Sequence, residues 1–100
     1  MLYIATLTID ELWQLLQEYQ GKTFYTAKGL PFEYVIRGGE MFVSRKDKSI
    51  TKASFAKALQ RLAKNPTAIT GPKALNVFGA SYIFSLFKSL EQMDKGKGQK

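Results

Sequence analysis

A chain of 100 residues, 45% of them hydrophobic, is sized for one domain with a real core, which argues against wholesale disorder. It has neither cysteine nor histidine, which excludes disulfides, thiolate and imidazole metal sites, and every Ser-His or Cys-His catalytic arrangement. The net charge of +7 implies an acidic partner or a strongly solvated face.

The charge is unevenly spread. Residues 1–20 hold Asp10, Glu11 and Glu18 and no base. Residues 41–75 hold Arg45, Lys46, Lys48, Lys52, Lys57, Arg61, Lys64 and Lys73 against Asp47 alone. Lys95, Lys97 and Lys100 follow in the tail. Such asymmetry is the footprint of a polyanion-binding face, or of a basic face that only keeps the chain in solution. The opening MLYIATLTID lacks the basic and long apolar regions of a signal peptide. The apolar-rich stretch from Ala74 to Phe87 is interrupted by Asn76, Gly79, Ser81 and Ser85, too short and polar for a bilayer span. A cytoplasmic protein of a prokaryote or mobile element is the expectation.

In chain order, Leu2 to Ala5 reads as a short strand. Thr8 and Glu11 form a capping box for a first helix. That helix puts Ile9, Leu12, Trp13, Leu15, Leu16 and Tyr19 on one face, and Gly21 stops it. Trp13 reads as a core residue. Lys22 to Thr26 is a strand, and Ala27 to Pro31 a connection. Phe32 to Arg45 is a hairpin turning at Gly38-Gly39, both expected at positive φ. The turn pairs Arg37 with Glu40, Ile36 with Met41, Val35 with Phe42 and Tyr34 with Val43. Phe32, Tyr34, Ile36, Met41 and Val43 then form a core face. Phe42, on the mixed face, is expected under the last helix, or exposed and able to stack on a base.

A second helix starts near Thr51 and buries Phe55, Ala58, Leu59, Leu62 and Ala63. Lys57, Arg61 and Lys64 form a stripe opposite, at i, i+4 and i+7. Asn65-Pro66 ends this helix, and Thr67 to Thr70 holds at most one strand-like step. Gly71-Pro72 opens a short helix or turn, and Gly79 interrupts it. Ala80 to Leu90 is the last helix. Its Tyr82, Ile83, Phe84, Leu86, Phe87 and Leu90 span about 200° of the wheel, so it is either the most buried helix or a partner surface.

Motifs for chemistry are weak. Gly79-Ala80-Ser81 is half a nucleophile elbow without a base. Ser-x-x-Lys recurs from Ser49, Ser54 and Ser85, as chance allows in a lysine-rich chain. Gly96-Lys97-Gly98 lacks the strand and helix of a phosphate loop. No carboxylate pair is spaced for acid–base work. No enzyme, cofactor or metal is expected.

The order α–β–β–β–α over Thr8 to Lys64 is similar to the double-stranded-RNA-binding domain. In that family lysines open the second helix; here RKDKSITK carries Lys46, Lys48 and Lys52 at that place, without the family's consecutive lysines or Gly-rich lead. GKTFYTAKGLPFEYVIRGG and GPKALNVFGASYIFSLF resemble patterns of small bacterial proteins, some linked to mobile elements or DNA processing.

The expectation is an α+β fold: a three-stranded antiparallel meander packed by helices, order α-β-β-β-α-α. A single domain covers 1–91, and 92–100 is a disordered basic tail. The expected function is a nucleic-acid-binding module, for DNA or RNA, contacting phosphates through Arg45, Lys46, Lys48, Lys52, Lys57, Arg61 and Lys64. The alternative is a protein-interaction or homodimerisation module using Tyr82, Phe84 and Phe87.

Overall fold

The computed structural model describes the backbone of residues 2–45 and 49–98 and the side chains of residues 3–45 and 49–93. In chain order the elements are α1 (Leu2–Ala5), α2 (Ile9–Glu18), β1 (Phe24–Tyr25), β2 (Pro31–Phe32), β3 (Tyr34–Arg37), β4 (Glu40–Val43), β5 (Ile50–Thr51) and α3 (Lys52–Lys64). A 3-10 turn (Pro72–Leu75) and α4 (Ala80–Gly98) follow. The fold is α+β, with antiparallel strands in two small sheets.

The hairpin is the best-specified piece. β3 and β4 pair Tyr34 with Val43, Val35 with Phe42, Ile36 with Met41 and Arg37 with Glu40, the register that the turn dictates. Gly38 takes φ +60°, whereas Gly39 lies outside the positive region. Positive φ at the first central position alone is the type II′ pattern, so one glycine and not both is demanded. Trp13 Nε1 donates to Gly38 O at 3.0 Å, which ties the turn to α2. The tryptophan is buried and meets the Phe55 ring edge-on, centroids 5.4 Å apart.

The sheets differ from expectation in membership. Of Lys22 to Thr26, only Phe24–Tyr25 is strand, and it pairs with Pro31–Phe32 in a separate two-stranded sheet. The third strand of the meander is β5, pairing Ile50 with Met41 and Thr51 with Glu40. The reason lies at the outer edge of β3. Gly21 N donates to Tyr34 O at 3.1 Å, and Ile36 N donates to Gln20 Oε1 at 2.9 Å. Those bonds fill the edge that Lys22 to Thr26 needed.

Leu2 to Ala5 is a helical turn, not a strand. The amides of Tyr3 and Ile4 donate to the Glu91 carboxylate at 3.1 and 2.9 Å, so the cap comes from the far end of the chain. α4 continues past Leu90 to Gly98, so helical backbone runs through most of the stretch read as a tail. Residues 67–70 contain no strand.

The core is one cluster. α2 contributes Leu12, Trp13, Leu15 and Leu16, and α3 contributes Phe55, Ala58, Leu59 and Leu62. The sheet face supplies Phe32, Tyr34, Met41 and Val43, all buried, with Ile36 half-buried. Tyr34 donates its hydroxyl to Leu16 O. Burial, with a smaller contribution from Tyr19, pushes the Tyr34 phenol far above its ordinary pKa. α4 buries Ile83, Phe84, Leu86, Phe87 and Leu90, so its wide apolar arc belongs to a core helix. Phe42 is not under that helix: it is 41% exposed beside Val35 at 45%.

Candidate functional site

The site is built from α3 outward. Thr51 caps the helix, its hydroxyl accepting from Ser54 N at 3.2 Å. With Phe55, Ala58, Leu59 and Leu62 in the core, helical geometry sends positions 57, 61 and 64 outward. All three cations are exposed and make no hydrogen bond or ion pair among the described residues.

After Asn65 the chain turns and returns past the end of α3. Leu75, fully buried in the 3-10 turn, anchors the returning segment. Asn76 takes the left-handed conformation, φ 50° and ψ 48°, which asparagine tolerates better than most residues. Gly79 turns the chain again at φ +74° and lies so close to β5 that a Cβ would sit 2.7 Å from Ile50 Cδ1. The serine of Gly79-Ala80-Ser81 therefore follows a glycine kept for packing.

Residues 66–79 thus form a wall facing α3, and between them lies a groove of about 1030 Å³. Lys57, Gln60, Arg61, Ala63 and Lys64 line one side; Ala68, Ile69, Ala74, Asn76 and Val77 line the other. Ala63, expected in the core, is exposed there. A second depression of about 560 Å³ shares Asn76 and Val77 and is bordered by Pro72, Lys73 and Phe78. Among the described residues, no carboxylate lines either hollow.

Magnitudes show which feature carries information. Like charges one turn apart cost a helix about 0.2–0.5 kcal/mol per pair. Arg61 and Lys64 stand in the last turn, where the helix dipole favours a cation by about 0.3–1 kcal/mol each. The stripe's self-repulsion is offset within the helix and needs no ligand. Its placement along a groove lined by no carboxylate among the described residues is the informative observation.

The other expected cations are elsewhere. Lys52 Nζ lies 2.7 Å from Asp10 Oδ1, a long-range pair that joins the starts of α3 and α2. Arg45 donates from Nε to Pro31 O, on the β1–β2 hairpin. Neither lines the groove. Lys46 and Lys48 lie outside the described residues. Of the residues expected at a partner surface, Phe84 and Phe87 are core residues, and Tyr82 is half-buried with its ring edge-on to Phe32 at 5.1 Å.

The serines have structural partners. Ser49 Oγ donates to Glu40 at 2.6 Å, Ser54 lies in the α3 cap, and Ser85 Oγ donates to Ser81 O at 2.8 Å. Among the described residues, no three acidic, cysteine or histidine side chains are grouped to hold a metal ion. Among the same residues, no helix is long and apolar enough to cross a membrane. Comparison with protein-family models, curated proteins and solved structures finds no match to this chain.

Sequence reasoning missed the far wall, with Ile69, Asn76, Val77, Phe78 and Lys73. One trace of it was legible. Val77 and Phe78 are adjacent apolar residues before a glycine, and of the two Val77 packs against the core while Phe78 is exposed.

Proposed function

We propose that the protein is a non-enzymatic nucleic-acid-binding module, with phosphates held by Lys57, Arg61 and Lys64 along the groove. The observation that supports this is the lining itself: three cations at helical spacing on one wall and, among the described residues, no carboxylate on either. Arg45 and Lys52 would add electrostatic attraction without belonging to the groove. Three neutralised phosphates imply that log K falls against log salt with a slope of about −2 to −3.

The test is fluorescence anisotropy with labelled DNA and RNA across a salt series. Wild-type protein should bind at low salt and weaken steeply as salt rises. The triple reversal Lys57→Glu, Arg61→Glu and Lys64→Glu should abolish binding while keeping the wild-type circular dichroism, because none of the three touches the core. Absence of binding to any nucleic acid at low salt, or binding that survives the reversal, would overturn the proposal.

A protein-interaction role finds support on other residues than Tyr82, Phe84 and Phe87. Val35 and Phe42 are cross-strand neighbours on the outer hairpin face, both exposed, and line a shallow apolar depression.

A further inference from the structure

We infer that the groove takes a single-stranded polynucleotide in preference to a duplex, with Phe78 as a stacking platform for a base; this rests on the nucleic-acid reading proposed above. Three observations carry it. First, the stripe is set inside a concavity. A helix that reads duplex DNA has to project into a major groove. Here Lys57, Arg61 and Lys64 face the wall built by residues 66–79, so a cylinder would ride on the rim while a flexible strand can enter.

Second, the two walls differ in chemistry. The α3 side presents ammonium and guanidinium groups, and the opposite side presents Ala68, Ile69 and Val77. A duplex offers protein its charged exterior and keeps its base faces stacked inside. A single strand offers phosphates along one edge and apolar base faces along the other. The groove has a surface for each.

Third, Asn76 and Val77 line both the groove and the neighbouring hollow bordered by Lys73 and Phe78. Phe78 is 49% exposed and lines that hollow together with Lys73. Aromatic rings next to basic side chains are the recurring platform for unpaired bases, and the pairing tolerates any base because every base has a π-face. DNA and RNA single strands share this chemistry.

The experiment compares wild-type protein with Phe78→Ala, Phe78→Trp and the triple stripe reversal, using labelled oligo-dT, oligo-U and a blunt DNA duplex of equal length. Wild type should bind at least one single strand about tenfold more tightly than the duplex. Phe78→Ala should weaken single-strand binding about tenfold with little change in salt slope, and Phe78→Trp should restore it. Equal or tighter duplex binding that still depends on the stripe would overturn this inference and leave the broader function standing. Unchanged oligonucleotide affinity in Phe78→Ala would remove the platform. Loss of all binding in the wild type would take both readings down together.

Discussion

Helices α2 and α3 are made alike on the inside and oppositely on the outside. Each begins at a threonine whose hydroxyl accepts from the amide three residues on. Each buries four side chains in the same core, where Trp13 of one meets Phe55 of the other. Outward, α2 shows Asp10, Glu11 and Glu18, while α3 shows Lys57, Arg61 and Lys64. The acids of α2 are partly engaged in structure, Glu11 in the capping box and Asp10 with Lys52. Lys57, Arg61 and Lys64 have no such engagement among the described residues and line a groove. Folding constrains the inner faces of both helices; it leaves the outer faces open, so the difference between them is where function is read.

The comparison breaks most severely if the wall facing α3 is displaced. Gly79→Ala puts a side chain at φ +74° and drives it into buried Ile50. The expected loss is about 3 kcal/mol, combining left-handed strain with overpacking. A thermal melt should show a clearly lowered Tm, and an unchanged Tm would contradict the packing described for residues 66–79.

A smaller effect is expected at the turn pinned to α2. Gly38→Val should destabilise by about 2 kcal/mol, since a β-branched residue resists φ +60°. Gly39→Val should stay within about 0.5 kcal/mol, because that position lies outside the left-handed region. Urea midpoints of the two single variants check this asymmetry, and equal losses would contradict the type II′ assignment.

The caps sharpen the likeness of the helices. Thr8 makes a full capping box, with Thr8 N donating to Glu11 Oε1 at 2.8 Å in return. Thr51 has no carboxylate to answer it, since Ser54 stands at the third helical position. Thr8→Ala should cost about 1 kcal/mol and Thr51→Ala about half of that. The smallest effect is the link between the two helices. A double-mutant cycle on Asp10 and Lys52 should give a coupling of about 0.5 kcal/mol that shrinks with salt, as for other exposed pairs.

How much was legible follows the range of the interactions. The capping box, the hairpin register and the burial of Phe55, Leu59 and Leu62 depend on residues a few positions apart, and they read correctly from spacing. The cap that Glu91 gives to Tyr3 and Ile4, the Lys52–Asp10 pair and the Gln20–Gly21 closure of β3 join distant parts of the chain, and spacing does not encode them. The stripe of Lys57, Arg61 and Lys64 was visible, but the wall that turns it into a groove was not. That wall exists because Leu75 is buried and Gly79 touches Ile50, two tertiary facts. Tyr82, Phe84 and Phe87 misled because a core helix and a sticky surface helix share one aromatic pattern.

The most direct test maps a bound strand onto the two outer faces. Amide resonances of isotopically labelled protein are followed during titration with the tighter of oligo-dT and oligo-U. The account predicts that the shifted amides cluster in residues 57–64 and 68–78, while those of α2 around Asp10 and Glu18 stay in place. Shifts centred on α2 or on the Val35–Phe42 face, with residues 57–64 undisturbed, would contradict it.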